Sequence, residues 1–140
     1  MPPQHSLIDG KRVPPAAALH HAEPIYKSLA SALSAIPTLH FVELFPGRLS
    51  ASNRLSTDEK KAPVVEVGAD GVTGVELLVD SEVQIVQFYA MTSTKKRRCR
   101  QIVHAIVDAT PVDWLLAVPF HWNGGFWKRI TAECPRIQVL

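Results

Sequence analysis

The chain has 140 residues, of which 46% are hydrophobic and 20% are charged, so it can build the packed core of one domain. No stretch reaches the roughly 18 uncharged apolar residues of a membrane span, and we expect no signal peptide at the N-terminus. The net charge of +2 is too small to indicate a nucleic-acid partner by itself. The two cysteines lack metal-ligand or redox spacing, which favours a reducing setting, cytoplasmic or virion-associated.

The N-terminal third predicts two helical segments behind an irregular lead-in. Residues 1–13 carry prolines and little periodicity, and we interpret them as an irregular arm. Pro14 and Pro15 can open a short helical turn over Ala16–His21. A longer helix begins at Pro24 and stops before Pro37. Its apolar face has a 3.6-residue period, formed by Ile25, Leu29, Leu33 and Ile36.

The middle of the chain predicts strands separated by turns. Leu39–Phe45 is rich in aromatic and aliphatic residues and indicates a strand. Arg48–Lys61 is polar and predicts a mobile loop with at most a short helix. The turn at Ala69-Asp70-Gly71 predicts a hairpin between its flanking strands. Three meandering strands are expected at Pro63–Val67, Val72–Val79 and Gln84–Met91.

The C-terminal part begins with a basic segment. Five of the fifteen lysines and arginines lie within Lys95–Arg100. An amphipathic helix is predicted over Gln101–Ala109 and a buried strand over Asp113–Val118. A short helix and a last strand follow. Together these elements predict an α+β fold in which helices flank a mixed, mostly antiparallel sheet. A helical crossover should make Gln84–Met91 and Trp114–Val118 parallel neighbours.

This order of strand, basic loop, helix, strand, Asn-containing loop and helix resembles the second half of the GNAT superfamily of N-acetyltransferases. The resemblance covers about residues 24–140 and implies one GNAT-like domain over 1–140. In that family, a Gly-containing loop at a helix start holds the pyrophosphate of acetyl-CoA through backbone N–H groups. The pattern falls here on Thr94, Lys95, Lys96, Arg97, Arg98, Cys99 and Arg100.

Two departures from the family bear on function. Arg97 and Cys99 stand where the family has glycines, so their side chains should obstruct a pyrophosphate. Asn123 matches an asparagine that positions the cofactor in the family, but Phe126 or Trp127 replaces its proton-donating tyrosine. Alternatively, Asn123 caps the helix that begins at Gly124, and the aromatic side chains fill the core. The basic segment is either an anion site or a solvated turn without a ligand.

The remaining titratable residues give no clear catalytic set. Cys99 shares an apolar stripe with Val103 and Ile106, so it should be buried, and it cannot readily meet His104 on the same helix. Possible general bases are Glu76, Glu82 and His121. The six histidines show no metal spacing.

Three functions remain open from the sequence. The first is a non-catalytic binding or structural module, for which small GNAT-like virion or accessory proteins of tailed phages are an analogy. Its protein partner would contact the basic loop or the aromatic C-terminal segment. The second is an acetyl-CoA-dependent N-acetyltransferase. The third is nucleic-acid binding through Lys95–Arg100, aided by Lys128, Arg129 and Arg136, although no stacking aromatics interleave the cluster.

Overall fold

The computed structural model describes residues 6–8, 11–13, 24–45, 47–54, 65, 71–93, 96–119 and 124–139. These residues form three helices and one eight-stranded sheet. The helices are α1 (Pro24–Ser34), α2 (Lys96–Ala109) and α3 (Gly124–Glu133). The strands are β1 (Ser6–Ile8), β2 (Lys11–Val13), β3 (Phe41–Phe45), β4 (Arg48–Ser52), β5 (Gly74–Asp80), β6 (Ile85–Thr92), β7 (Leu115–Val118) and β8 (Ile137–Val139).

The sheet follows the order of the chain from β1 to β8. Strands β3 to β6 form an antiparallel meander, whereas β6, β7 and β8 are parallel neighbours joined by α2 and α3. The hairpin of β1 and β2 adds to the other side, where β2 runs parallel to β3. Four of the seven described pairings are therefore antiparallel, and the predicted α+β class with a mixed, mostly antiparallel sheet is confirmed.

The predicted loop over Arg48–Lys61 is wrong at its beginning, because β4 lies there. Its sequence is polar but alternates, with Leu49 and Ala51 fully buried in the core. Ser50 and Ser52 occupy the other face of the same strand. Their small hydroxyl groups are buried as well, so the strand does not show the hydrophobic run by which strands are usually recognised.

Two further predictions need correction. Residues 1–13 are not all irregular, since β1 and β2 pair there as an antiparallel hairpin. The hairpin expected across the Ala69-Asp70-Gly71 turn is not seen in the described part, because β5 pairs with β4 and β6 instead. Val65 lies outside any strand, and the rest of Pro63–Val67, like Ala16–His21, falls outside the described residues.

The core lies on one face of the sheet. The buried strand residues that join it, such as Leu49, Leu77 and Val86, stand at alternate positions of their strands and face the same way. All three helices contribute to this one cluster. The predicted apolar stripe of α1 is confirmed, as are buried Trp127 and Ile130 in α3. No described helix is long and apolar enough to cross a membrane.

A β-bulge interrupts the pairing of β5 with β6. Glu76 pairs with Ala90, but the next residue of β5, Leu77, pairs with Phe88, so Tyr89 is the extra residue. The bulge lets Phe88 and Met91 both face the core, although they are three positions apart. Without it, strict alternation would turn Met91 to the opposite face.

Gly74 is required where β4 and β5 come close. A Cβ atom on it would lie 2.7 Å from the Ala51 carbonyl oxygen and 3.0 Å from the Ser52 Cβ. We therefore expect Gly74→Ala to lower the free energy of unfolding by about 1–3 kcal/mol, the usual cost of an overpacked site. Urea unfolding followed by tryptophan fluorescence measures this change.

Gly125→Ala is the matched control. Among the described residues, its Cβ would meet only the flexible Arg129 Nη1, at 3.7 Å. Alanine is the better helix former, so this variant should unfold at the same or higher urea concentration. Equal stability of the two variants would show that the backbone approach at Gly74 is looser than described.

Candidate functional site

The start of α2 and the start of α3 lie at the same edge of the sheet. Strands β6 and β7 are parallel, and each helix follows the carboxyl end of its strand. In sheets of this type, ligands bind at the carboxyl ends of the strands. Helix starts also carry partial positive charge from unpaired N–H groups. This edge is therefore the place to look for an anion-binding surface.

The structure places most of the predicted basic segment in a helix and not in a loop. Helix α2 begins at Lys96, five residues before the predicted start at Gln101. Lys96 and Arg97 open its first turn. Arg98 and Cys99 are partly buried, and Arg100 is exposed. Thr94 and Lys95, and also Asn123 and His121, lie outside the described residues.

Cys99 lies against the core, as its helical stripe predicts. It is partly buried and packs on the apolar cluster. Burial raises the pKa of the Cys99 thiol, and a hydrogen bond with Ser93 acts in the opposite direction. A thiol of this kind stays protonated at neutral pH and is a poor nucleophile.

The aromatic residues of α3 fill space beside the parallel strands. Pairing of β6 with β7 ends at Gln87 and Ala117, while β6 continues alongside β5 to Thr92. Phe88, the first residue beyond that pairing, contacts Trp127 with ring centroids 5.3 Å apart. Both side chains are almost completely buried. The core interpretation of Trp127 is therefore confirmed.

Arg136 closes the other end of α2. Its guanidinium donates hydrogen bonds to the carbonyl oxygens of Val107 (3.1 Å), Thr110 (3.0 Å), Pro111 (2.7 Å) and Trp114 (3.3 Å). A cation is favourable at a helix C-terminus, where carbonyl groups lack partners within the helix. This guanidinium is directed into the protein, so we do not count Arg136 among the residues of a nucleic-acid surface.

A polar cluster joins α2 to the end of α3. Arg100 Nε donates a 2.7 Å hydrogen bond to Glu133 Oε1, and His104 Nε2 lies 3.3 Å from the same oxygen. His104 Nδ1 is 3.7 Å from the Cys134 sulfur. The sequence did not reveal this cluster, because its two halves are about 30 residues apart and meet only through the fold. Only the opposite charges of Arg100 and Glu133 could have suggested it.

Cys134, His104 and Glu133 stand in the order of a thiol, imidazole and carboxylate triad. With Nε2–H donating to Glu133, Nδ1 is free to accept from the thiol. Burial raises the pKa of the Cys134 thiol, and the carboxylates of Glu133 and Asp108 raise it further. Nucleophilic cysteines need the opposite shift, so we interpret this cluster as a structural contact. No group of three or more metal-ligating side chains occurs among the described residues.

The predicted general base Glu76 belongs to a polar row on the sheet face opposite the helices. Glu43, Ser50 and Glu76 are register partners across β3, β4 and β5. Arg48 Nη1 lies 3.4 Å from Glu76 Oε1. Burial raises the pKa of Glu43; Arg48 opposes the rise and Glu76 adds to it. Glu82 is exposed in the turn before β6, at the opposite edge from the helix starts.

No protein-family model, curated protein or solved structure matches this chain. The GNAT relationship therefore stays a prediction that rests on the residues and element order given above. The site residues stay predictions as well.

Replacing Arg136 with Gln should destabilise the fold. It removes hydrogen bonds from a charged donor and leaves several carbonyls at the end of α2 with fewer partners. A hydrogen bond to a charged group contributes at most about 1.5–3 kcal/mol. We expect the free energy of unfolding to fall by about that amount in total. Urea unfolding measures it. Arg129→Gln, an exposed change of equal charge, should stay within about 0.5 kcal/mol of the parent protein.

Glu43 and Glu133 should have opposite pH signatures. The pKa of Glu43 is raised above its ordinary 4.5, so its ionisation destabilises the fold as pH rises above that value. The pKa of Glu133 is lowered, mainly by the Arg100 hydrogen bond. Its carboxylate therefore stabilises the fold above 4.5, and this contribution is lost as pH falls through the lowered pKa.

At pH 7 we expect Glu43→Gln to raise the free energy of unfolding and Glu133→Gln to lower it. At about pH 3 the Glu43 difference should shrink, because that carboxyl is then protonated in both the folded and the unfolded state, and the Glu133 difference should shrink as the pH falls toward the lowered pKa of that group. Urea unfolding of each variant at the two pH values checks this. Differences that do not change with pH would mean that the substitutions act through packing.

Proposed function

We propose that this protein is a GNAT-like binding module that does not transfer acetyl groups and that recognises an acidic surface of a protein partner. The observation that carries the proposal is the placement of the basic segment. It forms the first turns of α2, at the sheet edge where α3 also begins. We name the residues Arg98, Arg100, Lys128 and Arg129 the cationic edge.

Electrostatics supports an anionic partner at the cationic edge. Cations beside a helix N-terminus are disfavoured, because the helix dipole is positive there. Helix α2 has no acidic residue in its first turn, and neither has α3. Lys128, Arg129 and Arg100 are exposed, so their charges can meet a second surface. A partner rich in carboxylates would relieve the repulsion and use both helix starts.

Three features argue against acetyl transfer. Arg97 and Cys99 replace the glycines by which the resembled family approaches a pyrophosphate. Trp127 occupies the space beside Phe88, where the parallel strands stop pairing. Neither Phe126 nor Trp127 can act as the general acid that the family's tyrosine supplies. Active N-acetyltransferase remains the alternative, with acetyl-CoA as its cofactor and Glu76, Glu82 or His121 as its possible base.

A protein partner fits the cationic edge better than a nucleic acid. Single-stranded nucleic acids stack their bases on exposed aromatic rings. Trp127 is buried, and Phe126 packs edge-on against it, with ring centroids 5.1 Å apart. Arg136 is directed inward, so it offers no phosphate contact. The analogy with small phage-borne proteins extends the proposal to a virion or accessory role, in the cytoplasm or on the particle.

Binding to a labelled oligoglutamate peptide tests the proposal. Fluorescence anisotropy should detect binding that weakens as salt is raised, because the contacts are exposed ion pairs. Arg98→Gln with Lys128→Gln should reduce the affinity several-fold. Lys27→Gln is the control of similar chemistry. It lies in the first turn of α1, where the neighbouring Ser28 bonds to Ala109 at the far end of α2.

Isothermal titration with acetyl-CoA gives the contrary test. We expect no binding in the micromolar range and no acetyl transfer to a panel of amines and peptides. Micromolar binding of acetyl-CoA would favour the N-acetyltransferase over the binding module. Salt-sensitive binding to DNA or RNA without binding to oligoglutamate would favour the nucleic-acid alternative.

A further inference from the structure

We propose that Glu133 is an intramolecular competitor, which occupies the Arg100 guanidinium until a carboxylate of the acidic partner replaces it. The proposal rests on the proposed function, because Arg100 belongs to the cationic edge. It adds that this edge is partly neutralised in the free protein, and it assigns the neutralising residue. Glu133 would thereby lower the affinity for any anionic surface that has to displace it from Arg100.

Three side-chain contacts meet at one carboxylate oxygen of Glu133. Arg100 Nε and Nη2 both lie within ion-pair distance of Glu133 Oε1, and the His104 Nε2 contact ends on the same atom. The side chains remain accessible, with 60% of Arg100 and 34% of Glu133 exposed. A partner can therefore reach the guanidinium without unfolding either helix.

The exchange is chemically balanced. Arg100 gives up one carboxylate and gains another, so its hydrogen bonds are replaced and not lost. Glu133 keeps a contact with the His104 imidazole when it releases Arg100. An exposed ion pair contributes little to stability, so breaking it costs little. The lowered pKa of Glu133 keeps its carboxylate ionised at neutral pH, and the competition operates throughout that range.

Glu133 competes with the partner at Arg100 and not at the other residues of the cationic edge. Glu133 is the last residue of α3, and Arg100 lies in the early turns of α2. Of the cations on the cationic edge, only Arg100 has a carboxylate partner among the residues that the structure describes. A carboxylate-rich peptide would meet Arg98, Lys128 and Arg129 first and then compete for Arg100. Affinity should therefore rise steeply with the number of acidic groups in the partner.

Two substitutions at Glu133 separate contact from charge. Glu133→Gln removes the carboxylate, whereas Glu133→Asp keeps the charge but shortens its reach to Arg100. We expect both variants to bind labelled oligoglutamate about two- to fivefold more tightly at low salt, the change that corresponds to one exposed ion pair. Glu82→Gln, an exposed change at the opposite edge, controls for net charge. Thermal unfolding and tryptophan emission confirm that each variant folds.

A double-mutant cycle decides the mechanism. In an Arg100→Gln background, Glu133→Gln should gain no more affinity than Glu82→Gln does, since no guanidinium is left to release. A full gain in that background would overturn the inference and assign the effect to general repulsion. Equal affinities of Glu133→Gln, Glu133→Asp and the parent protein would overturn it too.

The two proposals fail in different ways. If the parent protein binds oligoglutamate and Glu133 variants bind no better, the competitor is wrong and the binding module stands. If neither the parent nor any variant binds oligoglutamate, the proposed function itself is wrong. Tighter binding of the Glu133 variants to duplex DNA, without any binding to oligoglutamate, would contradict the partner class.

Discussion

Three consecutive parallel strands determine how the rest of this protein is arranged. Because β6, β7 and β8 are neighbours in chain order, both connections move across the sheet in the same sense. Connections of one hand then place α2 and α3 on one face and start them at one edge. The contact of Trp127 with Phe88 and that of Cys134 with His104 follow from this placement. The position of the basic segment follows as well.

Basic side chains are electrostatically favourable at the C-terminus of α2 and unfavourable at its N-terminus, and the proposed function rests on this difference. At its C-terminus, Arg136 meets four carbonyl oxygens, which a cation stabilises. Ser28 donates a further hydrogen bond there, to the Ala109 carbonyl. At its N-terminus the dipole has the opposite sign, yet the first turn carries Lys96, Arg97 and Arg98. The first arrangement serves folding. The second opposes it, and the proposed acidic partner would offset that repulsion.

The sequence predicts the fold class, α1, α3 and the crossover from β6 to β7, because apolar residues recur there at clear periods. It fails for β4, whose two serines are buried although they are polar. It also starts α2 too late, because Lys96 and Arg97 are charged and add nothing to an apolar stripe. The contact between Arg100 and Glu133 could not be predicted from the sequence, because the two residues are far apart along the chain. Nothing near Arg100 indicates that Glu133 neutralises it, since that contact depends on the strand order.

The bulge at Tyr89 lets β6 carry one residue more than its pairing with β5 requires. Deleting Tyr89 would leave Phe88, Ala90 and Met91 in strict alternation opposite Leu77, Glu76 and Val75, so Phe88 and Met91 would still face the core. The Tyr89 side chain itself is exposed and lies outside that core. Homologous chains should therefore tolerate both the substitution and the loss of Tyr89, because neither changes which side chains of β6 reach the core.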